Sequence, residues 1–106
     1  MPGQRIGYVT DLRYTPANVE ALIALLAGVD RLFIECVFLD EDREHGARKN
    51  HLTARQAGDI ARRIGAKAVT PFHFSPRYEG REHELVEEMR AAWGGGATTP
   101  HPSPLP

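Results

Sequence analysis

The sequence is short of several things. It holds a single cysteine, Cys36, among 106 residues, which excludes an internal disulfide framework and a zinc site made of four cysteines. The apolar neighbours of Cys36 predict a buried thiol in a reducing compartment, the cytoplasm by default. Charge of one sign is also lacking: 13 Lys and Arg face 14 Asp and Glu, for a net charge of −1. Any contact with a polyanion must therefore be local. No apolar run approaches the ~20 residues needed to cross a bilayer, and the opening MPGQRIGYVTD has no signal-peptide core, so no membrane partner is expected. No segment repeats.

What is present suits one small soluble domain or part of a larger one, with 42% hydrophobic and 25% charged residues. The core it can bury leaves little stability to spare. Ile6 to Thr10 is a β-rich run, and Thr15 with Pro16 marks the start of a helix in which Val19, Leu22, Ile23 and Leu26 form one apolar stripe, with Gly28 as its stop. Arg31 to Val37 reads as a strand buried on both faces. LDEDREHGARKN has no periodicity and reads as a surface loop or a short frayed helix. Thr53 and Gln56 make a capping box for a helix closed by Gly65. Lys67 to Phe72 is a third strand, in which Pro71 requires an edge or unpaired position, and Glu79 to Trp93 is a last amphipathic helix. The order β-α-β-α-β-α predicts an α/β fold with mostly parallel strands over residues 1–93. Residues 94–106 are Gly- and Pro-rich, and disorder is expected there.

Strand ends are where layered α/β proteins build sites, and Asp11, Glu35 and His73 stand at or inside them. Asp11 reads equally well as a turn former or helix cap. Glu35 is more telling, because an ionised carboxylate is rarely buried unless it is paired, metal-bound or shifted in pKa. His51 directly precedes a helix start, where backbone amides favour an anion. His73 opens HFSPRY, which presents a metal-binding imidazole, the Ser75 hydroxyl and the Arg77 guanidinium within five residues, a grouping suited to phosphate. His45, His83 and His101 lie in charged or low-complexity stretches and are expected to be exposed and idle.

The segments YVTDLRYTP, LFIECVFLDED, HLTARQAGDIA and TPFHFSPRY stand in the order found at the C-terminal end of ribonuclease Z and its close relatives in the metallo-β-lactamase superfamily. The chain resembles that family from Ile6 to Tyr78. The resemblance implies the C-terminal half of an αββα sandwich. It implies that Asp11 bridges two metal ions, that His73 is the last histidine ligand of one of them, and that Glu35 and His51 assist protonation of the leaving oxygen. Ser75 and Arg77 would contact substrate phosphate. The implied cofactor is a pair of Zn²⁺ ions roughly 3.5–4 Å apart that lowers the pKa of a bridging water. The implied substrate is RNA, a tRNA precursor in particular, or another phosphodiester or small-molecule substrate. Ile34 stands where the family carries a histidine beside the glutamate, and Leu52 where it carries a serine beside His51, so the resemblance leaves the subfamily open.

The family's H-x-H-x-D-H motif and a further ligand histidine lie upstream of the matched segment, and no H-x-H occurs in this chain. A catalytic zinc takes three protein ligands plus water, so no stable dinuclear site is expected from this polypeptide alone. The sheet face that normally packs on the N-terminal half would be open, which predicts a homo-oligomer, a complementing N-terminal half, or a partly molten chain. The competing reading is a non-catalytic remnant or interaction module that binds a partner through that face. A small receiver-like domain with Asp11 as strand-end acceptor is a third, which leaves HFSPRY unexplained.

Overall fold

In a computed structural model, the structure describes residues 3–94; the tail 95–106, with His101, lies outside them. Strand β1 (Ile6–Val9), helix α1 (Pro16–Leu26), strand β2 (Arg31–Glu35), helices α2 (Arg43–Lys49) and α3 (Ala54–Ile64), strand β3 (Val69–Phe72) and helix α4 (Glu82–Trp93) follow one another, with single 3-10 turns at Asp40–Asp42 and Pro76–Tyr78. The strands form one parallel sheet in the order β1-β2-β3.

The local start and stop signals operate as expected. Thr15 accepts from the Asn18 amide with Pro16 in the first turn of α1, and the full Thr53/Gln56 capping box opens α3, which Gly65 ends at φ 77°. Pro71 sits opposite Ile34 in β3, an edge strand among the described residues, as its missing N–H requires. Of the loop or short frayed helix expected before His51, the structure has the short helix, a 3-10 turn running into α2, one helix more than the alternating order predicts. Its support is tertiary: the buried Tyr78 hydroxyl accepts from the Leu39 amide at 3.0 Å and donates to the Asp42 carboxylate.

Burial alternates along the strands. Gly7, Val9, Leu32, Ile34 and Val69 face the helices, and a Cβ on Gly7 would stand 3.1 Å from Leu26 and Leu32 side chains, so α1 lies close on the sheet. Leu32, Ile34, Leu52, Ile60, Leu85 and Met89 are fully buried, each contributing on the order of 1.5–3 kcal/mol. Cys36 is buried as predicted, and burial pushes its thiol well up, out of reach of ionisation. At the seam between α3 and α4, Gly58 is required because a Cβ there would overlap the Met89 carbonyl oxygen.

The other sheet face is bare. Ile6 is 58% and Tyr8 66% exposed, and the Tyr8 ring lies 5.8 Å from Phe33 and 5.0 Å from Phe72. These residues make a continuous aromatic surface with no covering layer among the described residues.

Past Glu35 the chain stays hydrogen-bonded to both neighbouring segments. Cys36 donates to the Phe72 carbonyl and Val37 accepts from Ser75, while Val37 donates to the Leu52 carbonyl at 3.1 Å. This zipper brings the loop before α3 and the loop after β3 to the end of β2, which fixes where the site forms.

Candidate active site at the strand ends

The residues at the C-terminal ends of β1 and β3 share an unusual backbone. Asp11 has φ 56° and His73 φ 66°, the left-handed region that non-glycine residues enter at a cost of about 1–2 kcal/mol. Between these two turns lies the end of β2.

There the Glu35 carboxylate is fully buried and saturated with donors. Its Oε1 accepts from the Asp11 amide at 2.9 Å and the Thr10 hydroxyl at 3.1 Å. Its Oε2 accepts from the Leu52 amide at 2.9 Å and from His51 Nδ1 at 3.0 Å. His73 Nδ1 stands 3.4 Å from Oε1. Burial works to raise the Glu35 pKa, but the Asp11 and Leu52 amides and His51 outweigh it and hold the carboxyl below its usual range. Glu35 is therefore an anion at neutral pH and can only accept, which assigns the Nδ1 proton of His51 and leaves its Nε2 free.

His51 is aimed by its neighbours. Asn50 takes φ 60° and ends α2, and the His51 amide donates to Gly46 at 2.9 Å. Gly46 is tight here, since a Cβ would come 3.1 Å from both the His51 carbonyl oxygen and Phe38. The His51 and His73 rings meet edge to face at 5.1 Å, and His51 Nδ1 lies 3.8 Å from the Asp11 carboxylate.

The structure thus brings together Asp11, Glu35, His51 and His73. Ser75 and Arg77 lie one turn further on. The Ser75 hydroxyl accepts from the Arg77 amide, and the guanidinium spreads over the Phe38 ring at 5.5 Å and pairs with Asp42 at 3.5 Å. His83 is exposed as expected. His45 is not: it is half-buried, edge-on to Phe38 at 5.1 Å, and burial with Arg77 and Arg48 nearby lowers its pKa. The facing of α2 decides this, and no periodicity revealed it. Thr10 and the Leu52 backbone were missed; Thr10 carried a weak signal as the hydroxyl preceding Asp11.

Residues 1–74 of the sequence match the family model of the beta-lactamase superfamily domain. The chain belongs to the β-lactamase superfamily. It is 40% identical over 102 residues to a ribonuclease Z of Kineococcus radiotolerans, covering 94% of this chain and 31% of that protein. A ribonuclease Z of Deinococcus radiodurans is 37% identical over 90 residues, 85% of this chain and 27% of its own length. The metallo-beta-lactamase fold protein YhfI from Bacillus subtilis superposes with a TM-score of 0.71 at 24% identity, over 85% of this chain and 34% of that one. The α/β fold is thus part of a metallo-β-lactamase fold, and the chain spans about a third of the length of the curated relatives it matches.

The superfamily implies metal, and the donor chemistry can be tested against that. Donor atoms of Glu35, His51 and His73 lie within 4.8 Å of one another. Glu35 is a poor ligand because its oxygens already accept from Thr10, two backbone amides and His51. Asp11 falls outside that group, with its side chain 74% exposed and 3.8 Å from His51 Nδ1, but it and the outer nitrogen of His73 carry donor atoms of types that bind a cation. They fit as part of a metal site, one histidine and one carboxylate, short of the three protein ligands of a complete catalytic zinc. The two departures in the motifs also find their reason. Ile34 points to the helix-covered face, and Leu52 serves Glu35 through its backbone N–H while its side chain fills the core.

Proposed function

We propose that this chain is the part of a ribonuclease Z-like, zinc-dependent phosphodiesterase that carries the proton-transfer pair, one histidine ligand and the bridging carboxylate, and that it acts only with a further segment supplying the remaining ligands. The observation that carries this reading is the convergence of Asp11, Glu35, His51 and His73, from four separate segments, around one buried anion at the ends of a parallel sheet. The shares of identity with two ribonuclease Z proteins support it.

Asp11 and the outer nitrogen of His73 would hold zinc, which when bound supplies Lewis acidity and an activated water. The remaining steps belong to the chain. With its Nδ1 proton held by Glu35, His51 can carry a second proton on Nε2, the imidazolium and the carboxylate being a neutral pair, and pass it to the leaving oxygen, which leaves a neutral ring beside the Glu35 anion. Arg77, on the loop after His73, offers a planar fork of donors to a phosphate once it leaves Asp42. The substrate is RNA, a tRNA precursor in particular, and the compartment is the cytoplasm. The bare face bearing Tyr8, Phe33 and Phe72 is where the complementing segment packs.

Co-expression with the N-terminal portion of the Kineococcus radiotolerans relative tests this. A zinc-dependent phosphodiesterase that His51→Ala reduces by at least about 100-fold is the expected result. A folded assembly without activity would refute it. The same bare face favours a second reading, an interaction module with no chemistry; a stable complex through that face with no zinc uptake would select it.

A further inference from the structure

We infer that Glu35 is a positioning residue for the metal side of the site as well as for His51, fixing through one buried carboxylate both the backbone of Asp11 and the imidazole of His73. This rests on the reading of Asp11 and His73 as metal ligands. The left-handed conformations of Asp11 and His73 persist only where surrounding contacts over-determine them. For Asp11 the holding contact is its own amide, donated to Glu35 Oε1 at 2.9 Å. For His73 it is the ring, whose Nδ1 faces the same oxygen at 3.4 Å while Phe72 at 6.4 Å and His51 at 5.1 Å flank it.

The carboxylate 3.4 Å from Nδ1 is an ion-pair contact and favours a proton on that nitrogen, which would leave Nε2 as the lone-pair donor, the arrangement that orients histidine ligands in metal sites. Glu35 thus touches three of the residues that matter and is itself held by Thr10 and Leu52. The burial that makes it useless as a ligand makes it effective as an anchor, because a saturated anion on a sheet strand has no room to shift.

Histidine ring nitrogens in the ¹⁵N-labelled chain, read by NMR at neutral pH, test this. In the native chain both His51 and His73 should carry the proton on Nδ1. In Glu35→Gln, His73 should move to the Nε2-protonated form, the Asp11 amide resonance should shift, and the response of His73 to added Zn²⁺ should need about 10–100-fold more metal. A folded Glu35→Gln chain with an unmoved His73 tautomer and Asp11 amide overturns the inference. Should that variant unfold, Glu35→Asp reads the same quantity, because its shorter arm draws the carboxylate from His73; an unmoved tautomer there overturns it equally. If the tautomer shifts while the native His73 ignores Zn²⁺ even with the N-terminal portion that supplies the remaining ligands present, the positioning stands and the metal assignment falls.

Discussion

Two glutamates in this molecule, Glu35 fully buried and Glu88 half-buried, each accept from two backbone amides and behave in opposite ways. Glu35, at the strand ends, accepts from the backbone amides of Asp11 and Leu52. Glu88, on α4, accepts from those of Asp40 and Arg55 at 2.9 and 3.1 Å and so ties α4 to the start of α3. Burial opposes ionisation at both. At Glu88 burial prevails, with the Asp40 charge adding to it, and the pKa rises. At Glu35 the His51 ring joins the two amides and the pKa falls. Arg55 lowers the Glu88 pKa as well, but burial and the Asp40 charge outweigh it, whereas at Glu35 the amides and His51 together outweigh burial.

The largest test of the contrast is Glu35→Ala, which strands two amides and a ring nitrogen in a dry site. A loss of about 3–5 kcal/mol is expected in urea unfolding, and a loss below about 1 kcal/mol would dissolve the distinction. Next comes the helix seam itself. Gly58→Ala forces a Cβ onto the Met89 carbonyl oxygen and should cost about 1–3 kcal/mol, while the His51 and His73 ring resonances stay in place. Altered ring resonances would show that the two regions are coupled.

Acid titration separates the glutamates by sign. Glu35, with its pKa depressed in the fold, contributes stability that is present above the ordinary glutamate value near 4.3 and lost as pH falls through its folded value. Glu88, with its pKa raised, contributes stability at low pH that is lost as pH rises through its folded value. Urea midpoints against pH should therefore fall less steeply on acidification in Glu35→Gln than in the native chain. The smallest effect belongs to Glu88→Gln, which keeps, with an amide oxygen in the place of Oε2, the acceptor that both backbone amides share and removes the unfavourable charge. A change within about 1 kcal/mol at neutral pH is expected, and a larger loss would mean that Glu88 is as anchored an anion as Glu35.

The site was partly legible in the sequence. Glu35 stood out because a carboxylate in an apolar strand demands a partner, and His73 because it closes a strand and opens HFSPRY. The capping box at Thr53 and the stop at Gly65 were readable because their bonds close within one helical turn. His45 was misjudged, since its ring rests on Phe38, seven residues back and reachable only through the packing of α2. Thr10 and Leu52 were missed for a related reason: one acts through a hydroxyl and the other through its backbone, and backbone donors have no residue type to announce them.

By itself the sequence determined the elements, their caps and the identity of the groups able to bind metal or move protons, because those depend on contacts only a few residues apart. Only the tertiary structure decided that the proton side and the metal side share one anchor. That decision is made by hydrogen bonds reaching Glu35 from Asp11 across 24 residues and from Leu52 across 17. It also left one sheet face bare, because among the described residues all the helices the chain can pack lie on the other.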